Sequence, residues 1–217
     1  MKLYLHDAFI GLARSLRWSY LPPLMVYLAA GISGLTAIVG TFFVKDYLGL
    51  SAAFLAGLGF WAGLPWALKM PLGHLVDLFW RHKYLFVYLG ASVITASLLM
   101  MYGLIAHTEL MSAVMPIEAW YVLSVILAPV GYVLQDVVAD AMTVEAVPAV
   151  EPSGQLIAES EIKEMHTTMQ ALGRFAVIGG SLLVALLNVV LFSDVDSLSL
   201  DDKRAVYARI YLYALAI

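Results

Sequence analysis

The sequence predicts an all-α membrane protein, and three observations lead to this fold class. Hydrophobic residues make up 62% of the 217 positions and charged residues only 13%, with a mean hydropathy of +0.87. Soluble domains of this length have a much more polar composition. The charge-free stretches are long enough to cross a bilayer core of ~30 Å as helices, and they lack the alternation of period two that is typical of strands.

Five stretches meet the length that a membrane helix needs. They are residues 20–43, 47–68, 84–106, 119–135 and 175–193. A sixth apolar stretch begins near Ala205 and stops at Ile217, which is roughly half of the ~20 residues required to span. We therefore expect a truncated sixth helix and a chain that is part of a longer protein.

Lysine and arginine residues near the ends of the spans predict the orientation. Lys2, Arg14 and Arg17 precede the first span, and Arg81 and Lys83 follow the second. Because positive residues favour the cytoplasmic side, we expect residues 1–19 to be a cytoplasmic segment and residues 20–217 to form the membrane domain. The longest loop, about residues 146–168, is then cytoplasmic as well, and the host membrane is expected to be the plasma (inner) membrane.

Composition also excludes several classes of function. The net charge of −4 gives no basic surface for a nucleic acid. The chain has no cysteine, and its five histidines are scattered without ligand spacing, so it predicts neither disulfides nor a metal site. We expect no cofactor and no enzymatic activity.

Charged residues inside the apolar spans mark the candidate site. Lys69, Asp136 and Arg174 each lie eight or nine residues from the polar end of their span, a depth of about 12 Å at 1.5 Å per residue. A charge at that depth is costly and needs a partner or a water-filled cavity. Two cations against one anion favour an anionic substrate, and Gln170 lies one turn from Arg174 on the same helix face.

A second carboxylate, Asp140, lies one turn from Asp136 on the same face. Two carboxylates close together in a low-dielectric environment do not both ionise readily, so this pair favours a proton as the coupling ion. An internal ion-pair network is the alternative interpretation. In it Lys69 neutralises Asp136, and Arg81 neutralises Asp140 or Glu145.

Near the second span, Gly73, Leu75, Asp77 and Arg81 resemble the loop signature of the major facilitator superfamily. Trp80 stands where that signature usually has a second glycine. We expect Asp77 and Arg81, with Asp140 and Glu145, to form a gating or ion-pair network.

Two longer patterns are similar to the folate-biopterin transporter family of that superfamily. The second span and its loop contribute Pro65, Trp66, Lys69, Pro71, Gly73, Asp77, Arg81 and Tyr84. The fourth span contributes Asp136, Val137, Val138, Asp140, Ala141, Met142, Val144 and Glu145. Met70 separates Lys69 from Pro71, whereas the family usually has proline directly after the lysine.

The resemblance implies the amino-terminal six-helix half of a secondary transporter, with the carboxy-terminal half missing. It implies a folate- or pterin-like substrate bound by Lys69, Asp136, Gln170 and Arg174, and a proton as coupling ion. Two alternatives stay open. One is a non-transporting relative that assists assembly of a pigment or membrane complex, because fold does not fix function. The other is a magnesium-dependent membrane transferase that uses the Asp136/Asp140 pair.

Overall fold

A computed structural model describes residues 16–151, 153–193 and 195–217, except for the side chains of Lys45, Asp46, Ala52 and Asp196. Lys2, Arg14 and most of the predicted segment 1–19 therefore lie outside the described residues. The described part contains nine α-helices and no β-strand, and Val150 and Leu156 form one isolated antiparallel bridge. The predicted all-α fold class is confirmed.

The helices, in chain order, have the following bounds. They are α1 (Leu21–Ile32), α2 (Leu35–Phe43), α3 (Ala52–Ala67), α4 (Lys69–Leu78), α5 (Lys83–Ala106), α6 (Thr108–Val114), α7 (Ile117–Glu145), α8 (Glu159–Phe192) and α9 (Leu200–Ala216).

Four segments of the described part are long and apolar enough to cross a membrane. They are Trp18–Phe43, Trp80–Ala106, Ile117–Glu145 and Glu159–Phe192. The chain is thus a polytopic integral membrane protein. The predicted spans 84–106 and 119–135 lie inside α5 and α7, and the predicted span 175–193 extends one residue beyond the end of α8.

The first two spans are less regular than the sequence predicts. A turn at Ser33 and Gly34 separates α1 from α2, and a π-helical turn, Val44–Leu48, ends at Gly49 with φ +59°. Position 47 therefore belongs to the end of the first span. The second predicted span, 47–68, is not among the four segments. It begins with the 16-residue helix α3, where the Ser51 hydroxyl accepts a hydrogen bond from the Phe54 amide.

Helix α7 lies at the centre of the bundle and packs against α1, α3, α4 and α5, while α8 packs against α1. Glycines allow the two tightest crossings. A Cβ added to Gly90 on α5 would lie 2.8 Å from the Gly131 carbonyl oxygen on α7. A Cβ added to Gly31 on α1 would lie 3.0 Å from the Gly180 Cα on α8. Small residues at such crossings bring helix backbones into direct contact.

The two ends of the bundle differ in their contacts. At the end where α5 begins and α7 ends, which we call the Lys83 end, Tyr20 packs with Val147, Met165 and Met169. The part of the predicted loop 146–168 that carries Glu159, Glu161 and Glu164 is helical, because α8 begins at Glu159. At the opposite end, which we call the Arg204 end, Arg204 donates a hydrogen bond of 3.1 Å to the Ile105 carbonyl.

Candidate functional site

A break in the second span positions Lys69. Helix α3 ends at Ala67, Leu68 leaves the helical conformation (φ −86°, ψ 6°), and Lys69 is the first residue of α4. Pro71 explains the break, because it has no amide to donate to the Ala67 carbonyl and its ring crowds that carbonyl. The carboxyl end of α3, which carries the negative end of its dipole, therefore lies next to the Lys69 backbone.

The Lys69 ammonium contacts two carboxylates of α7. Its Nζ lies 2.6 Å from Asp136 Oδ2 and 2.7 Å from Asp140 Oδ2. The two aspartates reach the same ammonium because residues four apart lie on one helix face. The side chains are 36% exposed for Lys69, 17% for Asp136 and 48% for Asp140, so the cluster is partly open.

Tyr27 on α1 completes this cluster, and the sequence argument did not include it. Its hydroxyl donates a hydrogen bond of 2.5 Å to Asp140 Oδ1. The ring fits against Gly173 on α8, where an added Cβ would lie 2.9 Å from two ring carbons. The available signal was a tyrosine in mid-span, because a buried tyrosine hydroxyl usually needs a polar partner.

These side chains surround an open cavity of about 730 Å³, a volume within the range of small-molecule sites. The cavity lies between α1, α4, α7 and α8. Its lining residues are Tyr27, Lys69, Asp136, Asp140, Thr143, Val144, Gln170, Gly173, Arg174, Val177 and Ile178. All four predicted substrate-binding residues, Lys69, Asp136, Gln170 and Arg174, therefore line one cavity.

The charge balance of the cavity differs from the expected excess of cations. Asp140 joins Lys69, Asp136 and Arg174, which gives two cations and two carboxylates. Lys69 is paired with both carboxylates, whereas Arg174 is exposed and forms no ion pair with any described residue. The guanidinium of Arg174 is the cationic group in the cavity that is available to a ligand.

The predicted gating residues are not all brought together. Asp140 pairs with Lys69 rather than with Arg81, since it lies one turn from Asp136 and faces the same ammonium. Glu145 forms its ion pair with Lys83, a partner that the sequence argument did not consider. Asp77 and Arg81 are exposed and have no ion pair within the described residues.

Trp80 has a specific contact at the Lys83 end. The Lys83 ammonium lies 4.0 Å from the centre of the Trp80 ring while it pairs with Glu145. A cation over an indole face is attracted by the ring. The Trp80 ring thus contacts Lys83 from one side.

The Asp136/Asp140 pair shows no arrangement of metal ligands. No group of three or more His, Cys, Asp or Glu residues lies close enough to hold a metal ion in the described part of the chain. Both carboxylates face the Lys69 ammonium, which occupies the position that a divalent cation would need.

One curated relative supports the resemblance found in the sequence. The chain is 35% identical over 77 residues to a folate-biopterin transporter of Synechocystis sp.; the match covers 36% of this chain and 15% of that protein. This chain therefore matches only a small part of the relative's length. No family model matches the chain, and no solved structure matches it either.

Proposed function

We propose that this chain belongs to a secondary transporter of the folate-biopterin transporter family, within the major facilitator superfamily. Its substrate is a small organic anion or zwitterion of the folate or pterin class. The observation that carries the proposal is the open cavity in which Lys69 is held by two carboxylates while Arg174 lies free. The name of the matched relative supports the substrate class.

Arg174 and Gln170 are the first contacts that an anionic substrate makes. A guanidinium binds a carboxylate through two parallel hydrogen bonds. Gln170 lies one turn away on α8 and adds an amide that can donate and accept. Lys69 is less accessible to the substrate, because both of its carboxylate partners must first be displaced or neutralised.

A proton neutralises one of these two partners. When one carboxylate of the Asp136/Asp140 pair takes a proton, Lys69 stays paired with the other. The cavity then carries one net positive charge, which suits a monoanion. Substrate and proton therefore bind together, which is the requirement for symport.

The half-transporter arrangement completes this proposal. Residues 20–217 form the amino-terminal six-helix domain, with the Lys83 end at the cytoplasm of the plasma (inner) membrane. A carboxy-terminal half covers the open side of the cavity. Alternating access then follows from rocking of one half against the other, and Asp77, Arg81 and the Lys83–Glu145 pair lie where the cytoplasmic ends separate.

Uptake of labelled folate by cells that express the full reading frame tests the proposal. We expect saturable uptake that unlabelled biopterin reduces and a protonophore abolishes. Lys69→Ala and Arg174→Ala are expected to reduce uptake to background at unchanged protein level in the membrane. Lys163→Ala and Arg209→Ala, which change exposed residues outside the cavity, serve as matched controls.

Two results would contradict the proposal in different ways. Wild-type-like uptake by the Arg174 variant would exclude the cavity as the substrate site. Absence of folate and pterin uptake by a correctly inserted wild-type protein, together with co-purification of a membrane complex, would favour the assembly factor instead.

A further inference from the structure

A second, smaller cavity borders Asp136. It has a volume of about 90 Å³, and α1, α3 and α7 enclose it. Its polar lining consists of Ser33, Tyr132, Gln135 and Asp136, and Trp66 is one of its other lining residues. Asp136 lines both cavities and is the residue that their linings share.

The helix positions place the small cavity deeper than the substrate cavity. Tyr132 precedes Asp136 by four residues on α7, and Ser33 follows Tyr27 by six residues along the first span. Each offset points toward the Arg204 end, and at 1.5 Å per residue they amount to about 6–9 Å. The small cavity therefore approaches Asp136 from the opposite end of the bundle.

The size and chemistry of this cavity suit ordered water. A polar cavity needs only about 10–15 Å³ to hold one water, and the water needs two to four polar partners. The Ser33 hydroxyl donates to the Ala30 carbonyl at 2.6 Å, which leaves its oxygen free to accept. Two hydroxyl residues, an amide residue and a carboxylate residue line this one space.

We propose that this cavity is a water site through which protons reach Asp136 from the Arg204 end. The inference rests on the proposed proton-coupled transport. A water in the cavity gives one proton to the Asp136 carboxylate and regains one from the chain of water and hydroxyls toward Ser33 and Tyr132. Lys69 remains paired with Asp140 during this step.

The titratable groups around Asp136 distinguish this route from one through the substrate cavity. Lys69 contacts it from α4, and Tyr27 and Asp140 adjoin it in the substrate cavity. The small cavity is lined by two titratable residues, Asp136 and Tyr132.

Two substitutions test this route. Tyr132→Phe removes the relay hydroxyl and keeps the ring, while Ala30→Val fills the cavity with two methyl groups.

Radiolytic hydroxyl labelling of the purified full-length protein tests the water site without any substrate. Side chains beside bound water are modified faster than dry ones. We expect Tyr132 to be labelled faster than Tyr121, which is 8% exposed and lies in a separate apolar cluster of the same helix. Ala30→Val should reduce the labelling of Tyr132 to the level of Tyr121. Equal labelling of the two tyrosines in the unmodified protein would overturn the proposal.

Transport in vesicles tests the proton route. Counterflow of labelled folate at equal pH reports substrate binding and exchange, and accumulation driven by a pH gradient reports proton coupling. We expect Tyr132→Phe and Ala30→Val to reduce accumulation about tenfold, the rate effect of losing one hydrogen bond from a relay, with counterflow unchanged. Tyr121→Phe is the matched control and should keep both activities.

The outcomes separate this inference from the proposed function. If the unmodified protein shows no counterflow, the proposed function fails and the labelling result alone decides the water site. If it shows counterflow and both variants accumulate folate as well as Tyr121→Phe does, the proton route is overturned. Loss of counterflow together with accumulation in both variants would also overturn it, because those residues would then act on substrate binding.

Discussion

The Lys69 cluster predicts that Asp140→Asn changes stability in opposite directions in the native protein and in a Lys69→Ala variant. Asp140→Asn in the native protein weakens the contact with Lys69 and the hydrogen bond from Tyr27. The same substitution in a Lys69→Ala protein removes a carboxylate that has lost its cation. It should therefore destabilise the first protein and stabilise the second.

The expected change in the free energy of unfolding depends on how exposed the side chains of Lys69, Asp136 and Asp140 are. Breaking a fully buried ion pair costs about 3–5 kcal/mol, and an exposed pair contributes at most about 1 kcal/mol. The cluster lies between these limits, since Asp136 is 17% and Asp140 48% exposed. We expect Lys69→Ala to cost about 2 kcal/mol and Asp140→Asn to restore about half of that.

Unfolding of the purified protein in mixed detergent micelles, followed by circular dichroism, measures the four free energies of this double-mutant cycle. Lys163→Ala, on the exposed part of α8, should change the free energy of unfolding by less than ~0.5 kcal/mol. The reasoning would be refuted if Asp140→Asn had the same sign and size in both backgrounds, because residues that do not interact show additive effects within about 0.5 kcal/mol.

Three further predictions concern the packing around this cluster. Tyr27→Phe should lower the free energy of unfolding by about 1.5–3 kcal/mol, the range for a hydrogen bond to a charged group, and the same variant in an Asp140→Asn background should cost less than 1.5 kcal/mol. Gly173→Ala should shift the Tyr27 ring and reduce folate uptake at normal expression, whereas Gly179→Ala, where an added Cβ meets nothing within 4 Å, should leave uptake unchanged. Gly90→Ala should destabilise the α5–α7 crossing by about 1–3 kcal/mol through overpacking, measured by the same unfolding assay; a change below ~0.5 kcal/mol would contradict the close contact with Gly131.

The sequence predicted the residues whose charges are costly in an apolar span. Lys69, Asp136 and Arg174 stood out because an isolated charge in hydrocarbon needs a partner, and all three line one cavity. Tyr27 did not stand out, because a tyrosine within an apolar stretch is also an ordinary core residue. Its role depends on the close packing of α1 against α8 at Gly173, which helical periodicity alone does not specify.

The sequence also did not specify which cation pairs with which carboxylate. Asp140 and Glu145 both lie near the end of α7, and Arg81 and Lys83 are two residues apart. Linear spacing gives each carboxylate two candidate cations. The partner depends on the short helical turn Trp80–His82, after which α5 begins at Lys83 and presents this lysine to Glu145.

The fold, like the candidate site, could be predicted from the sequence only in part. Helix type and the positions of the long spans followed from length and hydropathy, because every backbone amide in lipid must be bonded within its own segment. The breaks at Ser33–Gly34 and Leu68 depend on local chemistry that hydropathy averages away. Pro71 accounts for the second break, since proline removes one helical hydrogen bond, but no break was predicted there from the sequence.

The charge count of the cavity constrains the proposed mechanism more strongly than its shape does. With both carboxylates ionised, Lys69 and Arg174 are balanced by Asp136 and Asp140, and a bound monoanion would leave one uncompensated negative charge. An uncompensated charge in a partly buried site is costly. One proton on either aspartate removes this cost while Lys69 keeps a partner. The cluster therefore favours uptake of one proton together with one monoanion, and it disfavours both the proton alone and the anion alone.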